Sequence, residues 1–277
     1  VGMRSDSTPP CIRLLGLFAL AAACLPALAA AITVKKTGGD YSSIQAALDA
    51  AAAGDRVVVY AGVYNERLHA AQGGSSAGGY LTLAAHSNDT VLVTGNGLHN
   101  ATDPHLIQIE DGVSYIRIMG LSLCSNRADG TDGGSAIYLE GRGDHIELLS
   151  NRIFEIRGTN GMAITIYGAD PTTPVSSLAI VGNEIFNCEP ATSEALTLNG
   201  NVTEFTVASN YIHDINNIGI DFIGGEAPFP KAARNGVCSD NRVLRANSGY
   251  GGGFAAGIYV DGGCDIVIER NLVSGCD

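Results

Sequence analysis

Apolar and polar residues alternate with period two along most of this chain, in short runs. One set reads Ala136-Ile137-Tyr138-Leu139, Ala163-Ile164-Thr165-Ile166, Ala195-Leu196-Thr197-Leu198, Gly219-Ile220-Asp221-Phe222 and Gly257-Ile258-Tyr259-Val260. Each of these meets a glycine within two residues, as a strand entering a turn does. A second set, such as His145-Ile146-Glu147-Leu148 and Asp265-Ile266-Val267-Ile268, runs into an Asn-x-Ile or Asn-x-Val triplet. The triplets are Asn151-Arg152-Ile153, Asn183-Glu184-Ile185, Asn210-Tyr211-Ile212, Asn241-Arg242-Val243 and Asn271-Leu272-Val273, at spacings of 32, 27, 31 and 30 residues. Gly120-Leu121-Ser122-Leu123 extends the series, with Leu121 in place of the asparagine.

Three short strands in every period of about thirty residues cannot bury an apolar face alone; stacked coils can. Each strand then pairs in parallel with its copy one coil away, about 4.8 Å distant. The recurring asparagine is predicted to form a ladder, its amides bonded up and down the stack. Apolar spacing of two rather than 3.6 excludes helical repeats. The fold class expected is therefore all-β, a single-stranded parallel β-helix. Ile32-Thr33-Val34 reads as a first strand, and the amphipathic stretch from Tyr41 through Ala53 as a helix stopped by Gly54, capping one end of the stack. Val57-Val58-Val59-Tyr60 and Leu81-Thr82-Leu83 begin the coils. The chain stops at Cys276-Asp277 partway through a coil, which predicts further coils or a partner at that end.

Residues 1–29 read as a signal peptide: Met3 as the start, Arg4 and Arg13 as the basic segment, Leu14 to Leu25 as the apolar run, and Ala27-Leu28-Ala29 as a small-x-small cleavage site. A lipoprotein signal with Cys24 as the lipidated residue is the runner-up. Residues 30–54 then hold the first strand and capping helix, and 55–277 the β-helix. The expected destination is secretion, extracellular or periplasmic. Five cysteines follow the leader, an odd number with no zinc-like spacing, and most of them read as small buried hydrophobes.

The 277 residues carry 36 glycines, no tryptophan and a formal net charge of −12, with 45% hydrophobic residues. That content excludes global disorder, and the negative charge argues against a nucleic-acid partner, since phosphates are bound by cations. The N-terminal segments Gly39-Asp40-Tyr41-Ser42-Ser43-Ile44-Gln45-Ala46-Ala47, Gly54-Asp55-Arg56-Val57-Val58-Val59 and Gly62-Val63-Tyr64-Asn65-Glu66 resemble the opening of the pectin-lyase-like right-handed β-helices. The resemblance implies a right-handed coil. It leaves activity open, because lyases, hydrolases, esterases, epimerases and non-catalytic surface proteins share that fold. The opening is similar to that of pectin methylesterases, and Ile220-Asp221-Phe222-Ile223-Gly224 echoes their catalytic motif, but its companion motifs are missing. Polygalacturonase motifs are absent too. Asp103-Pro104-His105 matches a motif of alginate epimerases and reads here as a turn. The nearest resemblance is to bacterial β-helix repeat proteins related to family 9 pectate lyases, without a clean copy of that family's calcium motif.

Alternation places Tyr138, Thr165, Thr197, Asp221 and Tyr259 in one outward file, and Glu140, Tyr167, Asn199, Ile223 and Asp261 in the next. Tyr138, Tyr167, Thr197, Asn199 and Tyr259 are the candidate sugar-binding residues on what is expected to be an open face. Asp is unusual in a strand, which singles out Asp221; an insertion carrying Lys231 and Arg234 follows it. One reading is a calcium-assisted polysaccharide lyase. In it Asp221, Asp261 and Glu194 hold Ca²⁺, and Lys231 or Arg234 takes the C5 proton of a uronic acid. The alternatives are a non-catalytic glycan-binding β-helix, a hydrolase using Asp221 and Asp261 as an acid/base pair, and an epimerase. His213 falls in a mostly apolar file and reads as a stack member, while His69, His86 and His99 read as turn residues without partners.

Overall fold

The structure, a computed structural model, describes residues 1–2, 29–98, 102–128, 133–249 and 254–277. The expected leader lies almost wholly outside the described residues, as do Cys24 and His99. The remainder is an all-β parallel solenoid of about 7 turns. Each complete coil visits three sheets in order. The coil beginning at Gly143–Leu149 continues into Arg152–Gly158 and then Ile164–Gly168, before Val175–Val181 starts the next. Stacking produces one 9-stranded and two 8-stranded sheets, and the coil-to-coil ladders are parallel. Inward positions repeat in register: Ile137, Ile164, Leu196 and Ile220 form one such file, and all four are fully buried.

The asparagine ladder forms as expected. Asn151 Nδ2 donates to Asn183 Oδ1 at 3.1 Å, Asn183 Nδ2 to Asn210 Oδ1 at 3.0 Å, Asn210 Nδ2 to Asn241 Oδ1 at 3.0 Å, and Asn241 Nδ2 to Asn271 Oδ1 at 2.9 Å. Each carboxamide oxygen also accepts the backbone N–H of the asparagine before it, as Asn210 Oδ1 does from Asn183 N at 2.9 Å. The second amide hydrogen goes to a backbone carbonyl of the strand one coil earlier, as from Asn210 Nδ2 to Ile180 O at 2.9 Å. The ladder thus satisfies corner backbone groups that no sheet can reach. The residue before each asparagine is left-handed: Ser150, Ser209, Asp240 and Arg270 have φ between 53° and 57°, and Gly182 has φ 69°. One left-handed residue turns the chain sharply enough for a strand to leave one sheet and enter the next.

The helix is shorter than expected, Ile44–Ala50, because its ends are set by specific groups. Ser43 caps it by accepting from Ala46 N, and the Glu66 carboxylate accepts from Ser43 Oγ, Ile44 N and Gln45 N. A carboxylate at a helix N-terminus is favoured by the exposed N–H groups there. Ala51 is already extended, and Gly54, with φ 90°, belongs to the turn beyond. Ile44, Ala47 and Leu48 are buried against the core, so this helix closes one end of the stack.

Asn210→Ala removes the acceptor of two N–H groups of Asn183 and two donated bonds of its own, all in buried surroundings. Leaving buried polar groups unpaired costs about 1–3 kcal/mol each, so a loss of about 3–5 kcal/mol is expected in urea unfolding. A loss below ~1 kcal/mol would show that the ladder is incidental.

Candidate functional site

The outward face of the third sheet gathers the chemistry. Strand register sets one file as His69, Gln108, Tyr138, Thr165, Thr197, Asp221 and Tyr259. The neighbouring file runs Glu140, Tyr167, Asn199 and Ile223, with Asp261 two residues beyond Tyr259 on the strand paired to that of Asp221. The expectation of an open face is corrected in its middle. Thr165 and Thr197 are fully buried, and Asp221 is 2% exposed. Segments between coils fold over them. Ser135 Oγ meets Thr165 Oγ1 at 2.8 Å, and Glu194 Oε2 accepts from Thr197 Oγ1 at 2.7 Å. The His105 ring stacks on Tyr138 at 3.7 Å, and Phe229 packs on Tyr167 at 5.3 Å. Tyr138 and Tyr167 therefore each have an aromatic neighbour already, while Tyr259 is exposed.

Asp221 has no hydrogen-bond partner for Oδ1, which is buried. Burial first, then the charges of Glu194 and Asp261, push its carboxyl up to about 8. Glu194 is pushed up as well, chiefly by burial, against the donated Thr197 hydroxyl, with Glu226 and Asp261 adding to the rise. Burial and the surrounding glutamates raise the Tyr167 phenol to about 12. The Asn199 side-chain oxygen is also buried without a partner. The insertion after Asp221 is an antiparallel hairpin, Ile220–Glu226 with Phe229–Ala232. Lys231 stands exposed on its returning strand. Arg234 donates to Asn201 Oδ1 and Ala232 O, both at 3.0 Å. The three expected calcium ligands thus share one neighbourhood, while of the two expected bases Arg234 is engaged with Asn201 and Ala232 and Lys231 stands exposed. Among the described residues no three acidic or histidine side chains converge as a metal cradle. Burial and the two neighbouring carboxylates favour the protonated form of Asp221.

At the other end of the same face stands a cluster that escapes the sequence pattern. His69 lies in the strand Leu68–Ala70, not in a turn. Its Nδ1 is 2.9 Å from Glu110 Oε1 and its Nε2 is 3.2 Å from Asp103 Oδ2. The hydrogen bond to Glu110 leads the effects that raise the imidazole pKa. Gln108 Nε2 donates to Glu110 Oε2 at 3.1 Å, and the buried Asp103 Oδ1 has no partner. His105 is buried and neutral, its pKa lowered to about 4 by burial, and its Nδ1 accepts from Ser135 N at 3.1 Å. The signal available in the sequence was the match of Leu68-His69-Ala70 to Ile107-Gln108-Ile109. His86 is not a lone turn residue either: it stacks on Tyr60 at 3.9 Å. His213 stacks between Phe186 and Tyr211, as its file implies.

No family model matches the chain. It is 35% identical over 247 residues, 84% of its length, to the uncharacterized protein YwoF of Bacillus subtilis (strain 168), and spans about half, 52%, of that relative. Among solved structures it is similar to the GH136 lacto-N-biosidase of Eubacterium ramulus, with TM-score 0.62 and 12% identity over 89% of this chain and 56% of that one. It is also similar to the pectin methylesterase of Aspergillus niger, with TM-score 0.53 and 14% identity over 89% and 86%. Pectate lyase Pel9A matches with TM-score 0.51 and 11% identity over 82% and 57%. The chain is a parallel β-helix, the fold that these structures share. At these identities the likeness concerns the fold, so the chemistry of this β-helix must be argued from its own side chains.

A carboxyl raised from 3.8 to about 8 in the folded state makes the β-helix lose stability as pH rises between those values, because only the unfolded chain releases the proton. Asp221→Asn cannot release one. Thermal melts are expected to show the parent losing about 3–5 kcal/mol relative to the variant between pH 4 and pH 8. The charges facing the group, Glu194 and Asp261, are unchanged in the variant. A variant less stable than the parent at pH 8 would contradict the assignment.

Proposed function

We propose that this is an exported carbohydrate-active β-helix protein that hydrolyses a glycosidic bond on the outward face of its third sheet, with Asp221 as general acid. The observation that carries the reading is a single one: a buried carboxyl with one unpartnered oxygen, Asp221 Oδ1, beside two other carboxylates. Such a group keeps its proton at neutral pH, as an acid for a leaving oxygen must. Asp261 stands diagonally from it on the neighbouring strand, two residues beyond the paired Tyr259. In this reading the two carboxyl groups stand far enough apart to leave room for the attacking water molecule, as inverting hydrolysis requires. Asp221 gives its proton to the glycosidic oxygen as the bond to the anomeric carbon breaks. Asp261 takes a proton from the water that attacks that carbon from the opposite side. The fold is one on which a lacto-N-biosidase, an esterase and a lyase are all built, which supports a carbohydrate partner.

The second reading is the calcium-assisted lyase on a uronan, with Asp221, Asp261 and Glu194 holding the ion and Lys231 or Arg234 taking the proton. Clustering of the three carboxylates favours it, while Arg234's engagement with Asn201 weighs against it.

The test is release of reducing ends from a panel of neutral oligosaccharides and from polygalacturonate, with calcium or chelator. Asp221→Asn is expected to lower the rate by about 10²–10⁴-fold, and the parent rate is expected to fall above about pH 8. Unsaturated, ultraviolet-absorbing product that needs calcium would replace hydrolysis with the lyase reading. Retained binding with no cleavage of any glycan would replace both with a non-catalytic glycan-binding role.

A further inference from the structure

The hairpin that follows Asp221 is fastened to the third sheet by a single ring. From residue 225 to residue 231 every residue is exposed except Phe229, which is half-buried on Tyr167 with ring centroids 5.3 Å apart. Its strands pair only at Gly224 with Ala232 and at Glu226 with Phe229, and the register shifts between those pairs. No side chain from 225 to 231 makes a hydrogen bond or ion pair with any described residue. The returning strand Phe229–Ala232 packs on Leu196–Gly200, where a glycine makes room for the ring. A Cβ on Gly200 would stand 2.8 Å from that of Phe229. Like charge opposes the contact, since Glu226 adds to the effects that raise the carboxyl of Glu194 and the phenol of Tyr167. Under this hairpin lie groups without partners. Asn199 pairs in register with Tyr167 on one side and with Ile223, two residues beyond Asp221, on the other. It is 8% exposed, and its buried Oδ1 accepts no hydrogen bond. The Tyr167 hydroxyl makes none with any described residue either.

We propose that this hairpin is a cover that the glycan displaces: Phe229 leaves Tyr167, a pyranose ring takes its place, and the sugar hydroxyls pair with Asn199 and the Tyr167 hydroxyl. The proposal deepens the carbohydrate-active reading above and rests on it for the class of ligand. A phenyl ring and the C–H face of a pyranose both pack on an aromatic ring. Only the sugar also brings donors to the Asn199 oxygen, whose burial without a partner is destabilising. That difference gives the glycan its preference for the open state, and a ligand shifts such an equilibrium only through a difference of this kind. The hairpin can move without disturbing the coil it springs from. Gly224 and Gly225 stand where it leaves the sheet, Gly225 with φ 78°. At its return Ala233 is fully buried and donates its N–H to Ile223 O at 3.0 Å, which closes the base. Opening would therefore uncover Tyr167 and Asn199 beside the acid and leave the ladder beneath them intact.

The chain has no tryptophan, so Phe229→Trp places a single fluorescent reporter in the cover. The probes are hexamers of β-linked glucose, mannose and N-acetylglucosamine and of galacturonate, added to the full chain carrying Asp221→Asn so that none is consumed. At least one hexamer is expected to red-shift the indole emission and to raise its quenching by acrylamide. Should the indole already be exposed in the free protein, hydrogen exchange of the amides of residues 224–232 in the chain with Phe229 reads the same opening, and is expected to quicken with that hexamer. Phe229→Ala releases the cover and is expected to tighten binding about ten-fold, because less of the protein is held closed. Asn199→Ala is expected to weaken binding about ten-fold while leaving the emission of the free Phe229→Trp protein unchanged. Emission and exchange unmoved by every hexamer would overturn the cover; cleavage persisting in the protein that keeps Asp221 would then leave the hydrolytic reading standing. Weaker binding by Phe229→Ala would overturn it too, making the ring part of the binding surface. Opening by a hexamer that the protein with Asp221 never cleaves would uphold the cover and sink the hydrolytic reading.

Discussion

A coil of about thirty residues has no interior of its own. Its inward side chains leave water only when another coil lies against it in register, so burial and coil-to-coil hydrogen bonding are one event here. The asparagines make that register unambiguous. A parallel ladder could slip by two residues and still bury alternate side chains, but a slipped coil would strand every corner carboxamide and the backbone groups it serves. Both the hydrophobic core and the outward face inherit their alignment from this arrangement.

The outward face shows what that alignment makes possible and what it costs. Stacking brings Asp221 beside Glu194 and Asp261, like charges that add to burial in raising the Asp221 pKa. A scaffold selected for stability alone would place threonine at 221, as in the two preceding coils at Thr165 and Thr197. Carrying a strained carboxyl in an otherwise regular column is how functional positions commonly stand out from structural ones. His69 tells the complementary story, since its charge is compensated from two sides and its environment is comfortable.

Periodic features were legible in the sequence and aperiodic ones were not. The ladder, the inward files and the column containing Asp221 follow from repetition alone, and each coil corroborates the others. The helix was legible in place but not in length, because Glu66, which fixes its start, comes from a later connection between two strands. Burial of Thr165, Thr197 and Asp221 comes from the segments around Ser135, Glu194 and Phe229, which obey no period. His69 was invisible for a different reason: its strand is three residues long, and its partners lie 34 and 41 positions away, both outside the strand segments. Three letters do not establish alternation, and distance along the chain hides the ion pair.

The unequal spacing of the asparagines has a meaning for the face they never touch. Coils of 27 to 32 residues stack at one common step, so extra residues are expelled sideways at the corners and never along the axis. Axial distance on this molecule is counted in whole strands, like marks on a ruler, whereas depth and cover are set freely by whatever length a corner carries. Two groups on the face can be moved apart only by inserting or deleting an entire coil. Their exposure, by contrast, can be retuned by a few residues at one corner without disturbing the alignment of anything else.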